Sequence, residues 1–271
     1  MRPLVMGVLN VTPDSFSDGG SWADPDAAVR HGRQLLAEGA DIVDVGGEST
    51  RPGAEPVGID TELARVVPTV EALAAEVSAA GARLSVDTRH AEVARAAVAA
   101  GASIVNDVSA SLEQVAADTG AGWIAMHMRG EPGSMQDAPH YDDVVAEVTA
   151  FLVAAAQRGR DVGVDEVWVD PGIGFGKTFD HNWALLGALD VLVDTGIPVA
   201  VGTSRKGFLG AVLADADGTE ERPGPDDRLE GSITTACWAA TMGVAMIRVH
   251  DVRATVAALD ATLAAPGSGP A

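Results

Sequence analysis

Lysine is almost missing from this sequence. It occurs twice in 271 residues, at Lys177 and Lys206, and arginine supplies the remainder of the 18 basic side chains. Acidic residues number 39, so the formal net charge is −21. So acidic a surface repels polyphosphate backbones and anionic headgroups, which excludes nucleic acid and membrane as expected partners. Solubility or salt tolerance is the simplest source of the excess. Against that background a small anionic substrate needs a local cationic pocket, and each basic residue becomes informative. Cysteine occurs once, as Cys237 in the helical run Thr235-Ala236-Cys237-Trp238-Ala239-Ala240. A lone cysteine forms no intrachain disulfide, and nothing beside it activates a thiolate, so it reads as a small core residue. No His/Cys cluster has zinc spacing, and His127 and His140 are isolated from other ligand types. No apolar run reaches the length of a membrane span. Met1-Arg2-Pro3 leads straight into an apolar segment without a charged region and hydrophobic stretch of the secretory kind, so a cytoplasmic location is expected. Residues 265–271 are expected to fray.

What the sequence does have is alternation. Short runs rich in Val and Ile lie at residues 4–9, 42–45, 84–86, 104–105, 122–126, 167–169, 198–201 and 244–249. Near-continuous apolar strands of this kind suit a parallel sheet covered on both faces. Between them, helical spacing runs through Val29, Leu35 and Leu36 to Gly39, then over 63–79, 91–100, 112–119, 144–159, 182–193, 228–242 and 253–263. Similar hinges follow three helices: Glu38-Gly39-Ala40-Asp41, Ala80-Gly81-Ala82-Arg83 and Ala100-Gly101-Ala102-Ser103. Eight such βα units predict an α/β fold, a (β/α)8 TIM barrel formed as a single domain over residues 1–271. An open doubly wound sheet would need a glycine fingerprint after its first strand, and Leu9-Asn10-Val11-Thr12-Pro13 is not one. Two long polar loops, 12–21 and 46–58, follow the first two strands and suit lids.

Barrel active sites lie at the carboxyl ends of the strands. Those positions hold Asn10, Asp44 with Glu48, Asp87, Asn106-Asp107, Met126-His127-Met128-Arg129, Asp170, Ser204-Arg205-Lys206 and Arg248-Val249-His250-Asp251. A single Asp or Asn after a strand is usually a loop cap. Polar groups after all eight are harder to explain by capping. Asp170 opens Asp170-Pro171-Gly172-Ile173-Gly174-Phe175-Gly176-Lys177. Its carboxylate could accept paired hydrogen bonds from an amidine-like ring edge, with Phe175 covering a flat ring. The segment reads equally as a Gly-rich turn with a capping Asp. Lys206, beside a helix start after the seventh strand, suits an anion or carbonyl oxygen, although the Gly-x4-Gly-Lys spacing of a phosphate loop is absent. Arg248 and His250 fall on one side of an extended chain and with Arg51 could hold a diphosphate. Alternatively Arg248 pairs with neighbouring Asp251. Asn10 could offer its amide oxygen to a Mg2+ carried by that diphosphate.

Met6-Gly7-Val8-Leu9-Asn10-Val11-Thr12-Pro13-Asp14-Ser15-Phe16-Ser17-Asp18-Gly19-Gly20 resembles the opening signature of the dihydropteroate synthase family. Asp44-Val45-Gly46-Gly47-Glu48-Ser49-Thr50-Arg51-Pro52-Gly53 is similar to that family's second loop. Ser85-Val86-Asp87-Thr88, Asn106-Asp107-Val108, His127-Met128-Arg129-Gly130 and the later strand-end motifs continue the match in order. The resemblance implies a transferase of folate synthesis that joins p-aminobenzoate to 6-hydroxymethyl-7,8-dihydropterin diphosphate. It implies that Asp87, Asn106, Met126, Asp170 and Lys206 bind the pterin, and that Asn10, Arg51, Arg248 and His250 serve the diphosphate and Mg2+. Phe16, Thr50, Pro52, Phe175 and Ser204 would shape the p-aminobenzoate site, where sulfonamides compete. Asp87, Lys206 and Arg51 are its expected catalytic residues, and a homodimer is the expected assembly. Many family members carry a longer segment before the first strand, which puts the packing of the barrel bottom in question here. Two rivals remain at this stage. A pterin-dependent methyltransferase with a corrinoid partner has no use for Ser204-Arg205-Lys206 and Arg248-Val249-His250 as a diphosphate site. A pterin-binding protein without catalysis has no need of intact loops around Asn10, Thr50 and Arg51.

Overall fold

A computed structural model of the chain describes residues 2–12, 25–49, 56–131 and 133–264. Eight strands form one parallel sheet: β1 (Leu4–Asn10), β2 (Ile42–Gly46), β3 (Arg83–Asp87), β4 (Ile104–Asp107), β5 (Gly122–Met126), β6 (Val167–Asp170), β7 (Ala200–Val201) and β8 (Met246–Val249). Their order is β6-β5-β4-β3-β2-β1-β8-β7, and the Val169–Val199 bridge joins the two ends into a nearly closed barrel. Among the described residues ten helices surround it. They are α1 (Pro25–Ala37), α2 (Ile59–Ala79), α3 (Ala91–Ala100), α4 (Glu113–Thr119), α5 (Val144–Asp161), α6 (Phe179–Gly187), α7 (Leu189–Val193), α8 (Gly207–Ala216), α9 (Leu229–Thr241) and α10 (Val252–Ala264).

The expected βα repeat is present, with two differences. The helix expected over 182–193 breaks at Ala188 into α6 and α7. After β7 the chain forms α8, for which no periodic pattern was visible: Gly207-Phe208-Leu209-Gly210-Ala211-Val212-Leu213 carries no polar stripe to mark a face. The hinge glycines Gly39, Gly81 and Gly101 all take positive φ, at 99°, 73° and 123°. An L side chain is strained there, and at Gly101 a Cβ would also lie 2.7 Å from Ala74 Cβ.

Alternation along the strands separates two apolar layers. Met6, Ile42, Ile104, Ile124, Trp168, Ala200 and Met246 point inward and fill the lower barrel, while the larger cluster, from Val5 and Leu9 to Leu259, lies between strands and helices. The barrel bottom is packed. Trp168 and Leu4 fill it, and Arg83 crosses from β3 to Glu166 in a two-pronged pair at 2.7 and 2.8 Å. Trp168 Nε1 donates to the same carboxylate at 2.9 Å. A Cβ on Gly122 would lie 2.7 Å from Glu166 Oε2, so the bare backbone at the start of β5 makes room for this pair. Arg2 adds a pair with Asp41, whose Oδ2 also accepts the Val5 N–H at 2.7 Å.

Asp107 shows what an outward-facing strand-end carboxylate does. It is wholly buried and accepts from Ser109 N and Oγ, Ser111 N, Leu112 N and Trp123 Nε1, at 2.5–3.1 Å. It therefore caps the β4–α4 loop and lines no site. Replacing Asp107 by Ala strands these donors in the interior. The expected loss is about 3 kcal/mol or more in urea unfolding, at unchanged m. A loss below about 1 kcal/mol would show that the capping network carries little of the stability.

Candidate active site

One step of alternation above the apolar floor, the inward positions turn polar, Met126 excepted. Asp44 stands two residues beyond Ile42, Asn106 beyond Ile104, Met126 beyond Ile124, Asp170 beyond Trp168 and Arg248 beyond Met246. The strands thus place these side chains on one level by the same periodicity that builds the core. Asp87, at the end of β3, joins them.

Arg248 ties this level together. Its Nε donates to Asp44 Oδ2 at 2.7 Å and its Nη2 to Asp87 Oδ2 at 2.7 Å, so the guanidinium reaches past β1 to β2 and β3. Asn106 Nδ2 donates to the same Asp44 oxygen at 3.0 Å. Asp251, the neighbour considered for Arg248, instead pairs with Arg205 at 2.8 and 3.1 Å. Arg205 holds φ at +60°, and its carbonyl accepts from Arg228. Burial and the nearby Asp44 carboxylate push Asp87 well above the usual carboxylate range, against the pull of Arg248.

The second cluster stands on the loop after β6. Asp170 is buried and accepts the Gly172 N–H on Oδ1 at 2.7 Å. Burial raises its pKa, while that hydrogen bond and the Lys206 ammonium oppose the shift. Lys206, the residue preceding α8, places Nζ 4.1 Å from the Phe175 ring centroid. Burial lowers its pKa to about 8 despite Asp170. The Asp170–Lys177 loop lies flat on the chain that continues β5. A Cβ on Gly172, at φ +63°, would come 1.9 Å from His127 O. No side chain fits there.

Ser204 and His250 meet above β7 and β8. Ser204 Oγ lies 3.0 Å from His250 Nδ1 and accepts the His250 N–H at 3.2 Å. Glu48 does not face the barrel: it is held by Arg89 at 3.0 and 3.1 Å and accepts the Val57 N–H, fastening the second loop to the start of α3. The structure therefore brings together Asp87, Asn106, Asp170, Lys206, Phe175 and Arg248, and pairs Ser204 with His250. Phe16, Thr50, Arg51 and Pro52 lie outside the described residues. Lys177, which the motif reading left without a role, is buried under the Phe175 loop. Its only sequence signal is the scarcity of lysine itself.

Among the described residues no group of three or more His, Cys, Asp or Glu could hold a metal ion. An amide oxygen such as that of Asn10 is a ligand type that suits a hard cation bringing most of its own oxygen ligands. Asn10 Oδ1 borders a cradle at Gly46: a Cβ there would lie 3.5 Å from that oxygen and 3.5 Å from Asp87 Cβ.

Comparison with known proteins gives this geometry a family. Residues 6–250 match the family described as pterin binding enzyme. The dihydropteroate synthase of Mycobacterium leprae (strain TN) is 50% identical over 98% of this chain and 94% of its own. A solved structure of the Xanthomonas albilineans dihydropteroate synthase with 4-aminobenzoic acid superposes with a TM-score of 0.88 at 47% identity, covering 97% of this chain and 93% of the other. That enzyme in complex with 7,8-dihydropteroate gives a TM-score of 0.84 at 43% identity, with the same coverage of 97% and 93%. The chain belongs to the dihydropteroate synthase family of pterin-binding enzymes.

Proposed function

We propose that the carboxyl face of the barrel binds 6-hydroxymethyl-7,8-dihydropterin diphosphate and transfers its pterin-methyl group to p-aminobenzoate. The products are 7,8-dihydropteroate and diphosphate, a transferase step of folate synthesis. The observation that carries the residue assignment is that Asp170 and Asn106 share one inward level and that Lys206, resting on the Phe175 ring, is close enough to act on Asp170. Asp170 has committed Oδ1 to Gly172, which leaves its other oxygen for the amidine edge of a pterin. Asn106 has committed its amide N–H to Asp44, which leaves its carbonyl to accept from the ring. Lys206 supplies an ammonium for the ring carbonyl, and Met126 adds an apolar wall.

The leaving group needs cations. A planar guanidinium has five N–H donors, and Arg248 commits one on Nε and one on Nη2. Its Nη1 edge can therefore receive a diphosphate oxygen. His250, beside Ser204, stands on the same side. Arg51 is assigned to the diphosphate by its motif, and Phe16, Thr50, Pro52, Phe175 and Ser204 to p-aminobenzoate. Asn10 would hold a Mg2+ through its amide oxygen, and the bound ion would neutralise charge on the departing diphosphate. The C–O bond breaks with its electron pair leaving on the diphosphate. Asp87 supports the resulting pterin-stabilised cation; the aniline nitrogen forms the C–N bond with its lone pair, and the resulting anilinium gives up its proton to solvent.

The proposal includes a homodimer. Phe179 and Trp183 on α6, Val212 on α8 and Trp238 on α9 are each 37–48% exposed. Trp183 packs on Phe208 of α8, and Trp238 Nε1 donates to Leu186 O of α6, so these exposed apolar side chains stand on adjoining helices. Among the described residues no helix is long and apolar enough to cross a membrane. The cytoplasmic location in this proposal rests on the sequence.

Purified protein with Mg2+ is expected to release diphosphate only when both the pterin diphosphate and p-aminobenzoate are present. Equal release without p-aminobenzoate, or no turnover, overturns the reading. Lys206→Ala should raise the KM of the pterin substrate, and Arg51→Ala should mainly lower kcat. A second expectation concerns pH. Lys206 loses its proton as pH rises through about 8. If its ammonium holds the ring carbonyl, pterin affinity weakens by up to about tenfold per pH unit above that value. Titration calorimetry from about pH 6.5 to 9.5 checks this, and an affinity that strengthens above pH 8 contradicts the role given to Lys206.

A further inference from the structure

Lys177 is 2% exposed, yet among the described residues no carboxylate lies within hydrogen-bond distance of its ammonium. Nζ lies 2.9 Å from His127 Nδ1, 3.0 Å from Gly172 O, 3.0 Å from Phe175 O and 3.3 Å from His127 O. All four partners act as acceptors if His127 carries its proton on Nε2. An all-acceptor shell calls for a protonated amine with three N–H groups. Burial and the Lys177 charge keep the imidazole neutral, with its pKa lowered to about 3. Burying an ammonium is costly: burial lowers the Lys177 pKa to about 7 against the pull of Asp170, and an apolar side chain of similar length would fill the same space at less cost. The amine and its four contacts therefore serve something other than filling the core.

Its partners show what that is. The loop from Asp170 to Lys177 has glycines at positive φ at 172, 174 and 176 and is held mainly by side chains. Gln136 Nε2 donates to Gly174 O at 2.8 Å, Tyr141 Oη to Gly176 O at 2.9 Å, and Gly174 N to Asn182 Oδ1 at 2.7 Å. Lys177 binds two carbonyls of the loop and two atoms of His127 on the β5 extension. One of those carbonyls belongs to Phe175, whose ring carries the Lys206 ammonium. We infer that Lys177 is a positioning residue for the transfer reaction, an internal cation that fixes the Phe175 ring and, through it, Lys206 relative to Asp170. The inference rests on the reading above that Phe175 and Lys206 face the substrates.

A double-mutant cycle of Lys177→Met and Phe175→Leu tests it, with KM for both substrates, kcat and Tm measured on each protein. Displacing a binding group by about an ångström can cost up to two orders of magnitude, so Lys177→Met alone is expected to raise the p-aminobenzoate KM about tenfold. In the Phe175→Leu background the same change should add less than about twofold, because the ring it positions is gone. Fold-changes in KM that multiply, or a lowered Tm with unchanged KM values, overturn the inference. Should Lys177→Met fail to fold, His127→Ala removes the ring anchor and keeps the ammonium. It enters the same cycle, and an unchanged or multiplicative KM effect is again the refuting result. Turnover by the wild type with independent mutant effects refutes only the role of Lys177, whereas a wild type without turnover refutes the transferase reading itself.

Discussion

The upper barrel depends on one guanidinium. Arg248 bridges Asp44 and Asp87 at 2.7 Å each, from a strand that is separated from theirs by β1. Taking these charges out of water costs more than an isolated surface pair returns, and removing Arg248 leaves both carboxylates buried without their cation. The arrangement is therefore self-enforcing. With Arg248 in place, Asp44 can accept from Asn106 and Asp87 is aimed inward. Without it, two adjacent carboxylates would face each other with no cation between them.

The same network explains how an anion can enter a protein of formal charge −21. Asp44, Asp87 and Asp170 on the inward level are matched by Arg248, Lys206 and, beneath the loop, Lys177. Opposite charges in the site thus offset one another, while the chain as a whole is strongly acidic. Coulombic repulsion from a solvent-facing surface is screened over about 8–10 Å at physiological salt, whereas contacts inside the barrel are screened much less. The local cations thus decide binding, and the acidic surface bears mainly on solubility and encounter.

Much of this was legible in the sequence because period two in a strand is strict. Ile104 and Asn106 share a face, so Asn106 must point where Ile104 points, and Asp107 must point away and cap its loop. Read that way, the ring of strand-end residues separates into site and scaffold by register alone. Glu48 and Arg205 resisted such reading because they sit beyond the strands, where partners such as Arg89 and Asp251 come from other loops. Helix α8 was hidden because an all-apolar segment with two glycines has no stripe to detect. The pairing of Arg248 with Asp44 spans 204 positions, and no local pattern encodes a contact that only barrel closure creates.

The two lysines show why residue type can carry information when position does not. Lys206 needs a compact cation that rests on an aromatic face and still points at a ligand, and Lys177 needs one that fits among carbonyl oxygens. A guanidinium is planar, carries five donors in a fixed fork and suits the two-pronged carboxylate pairing that Arg248, Arg83 and Arg205 make. It would leave donors unsatisfied inside the Phe175 loop, where the acceptors converge on one point. In a chain that otherwise uses arginine, an ammonium marks the places where geometry demands a point charge. Both of those places adjoin Phe175.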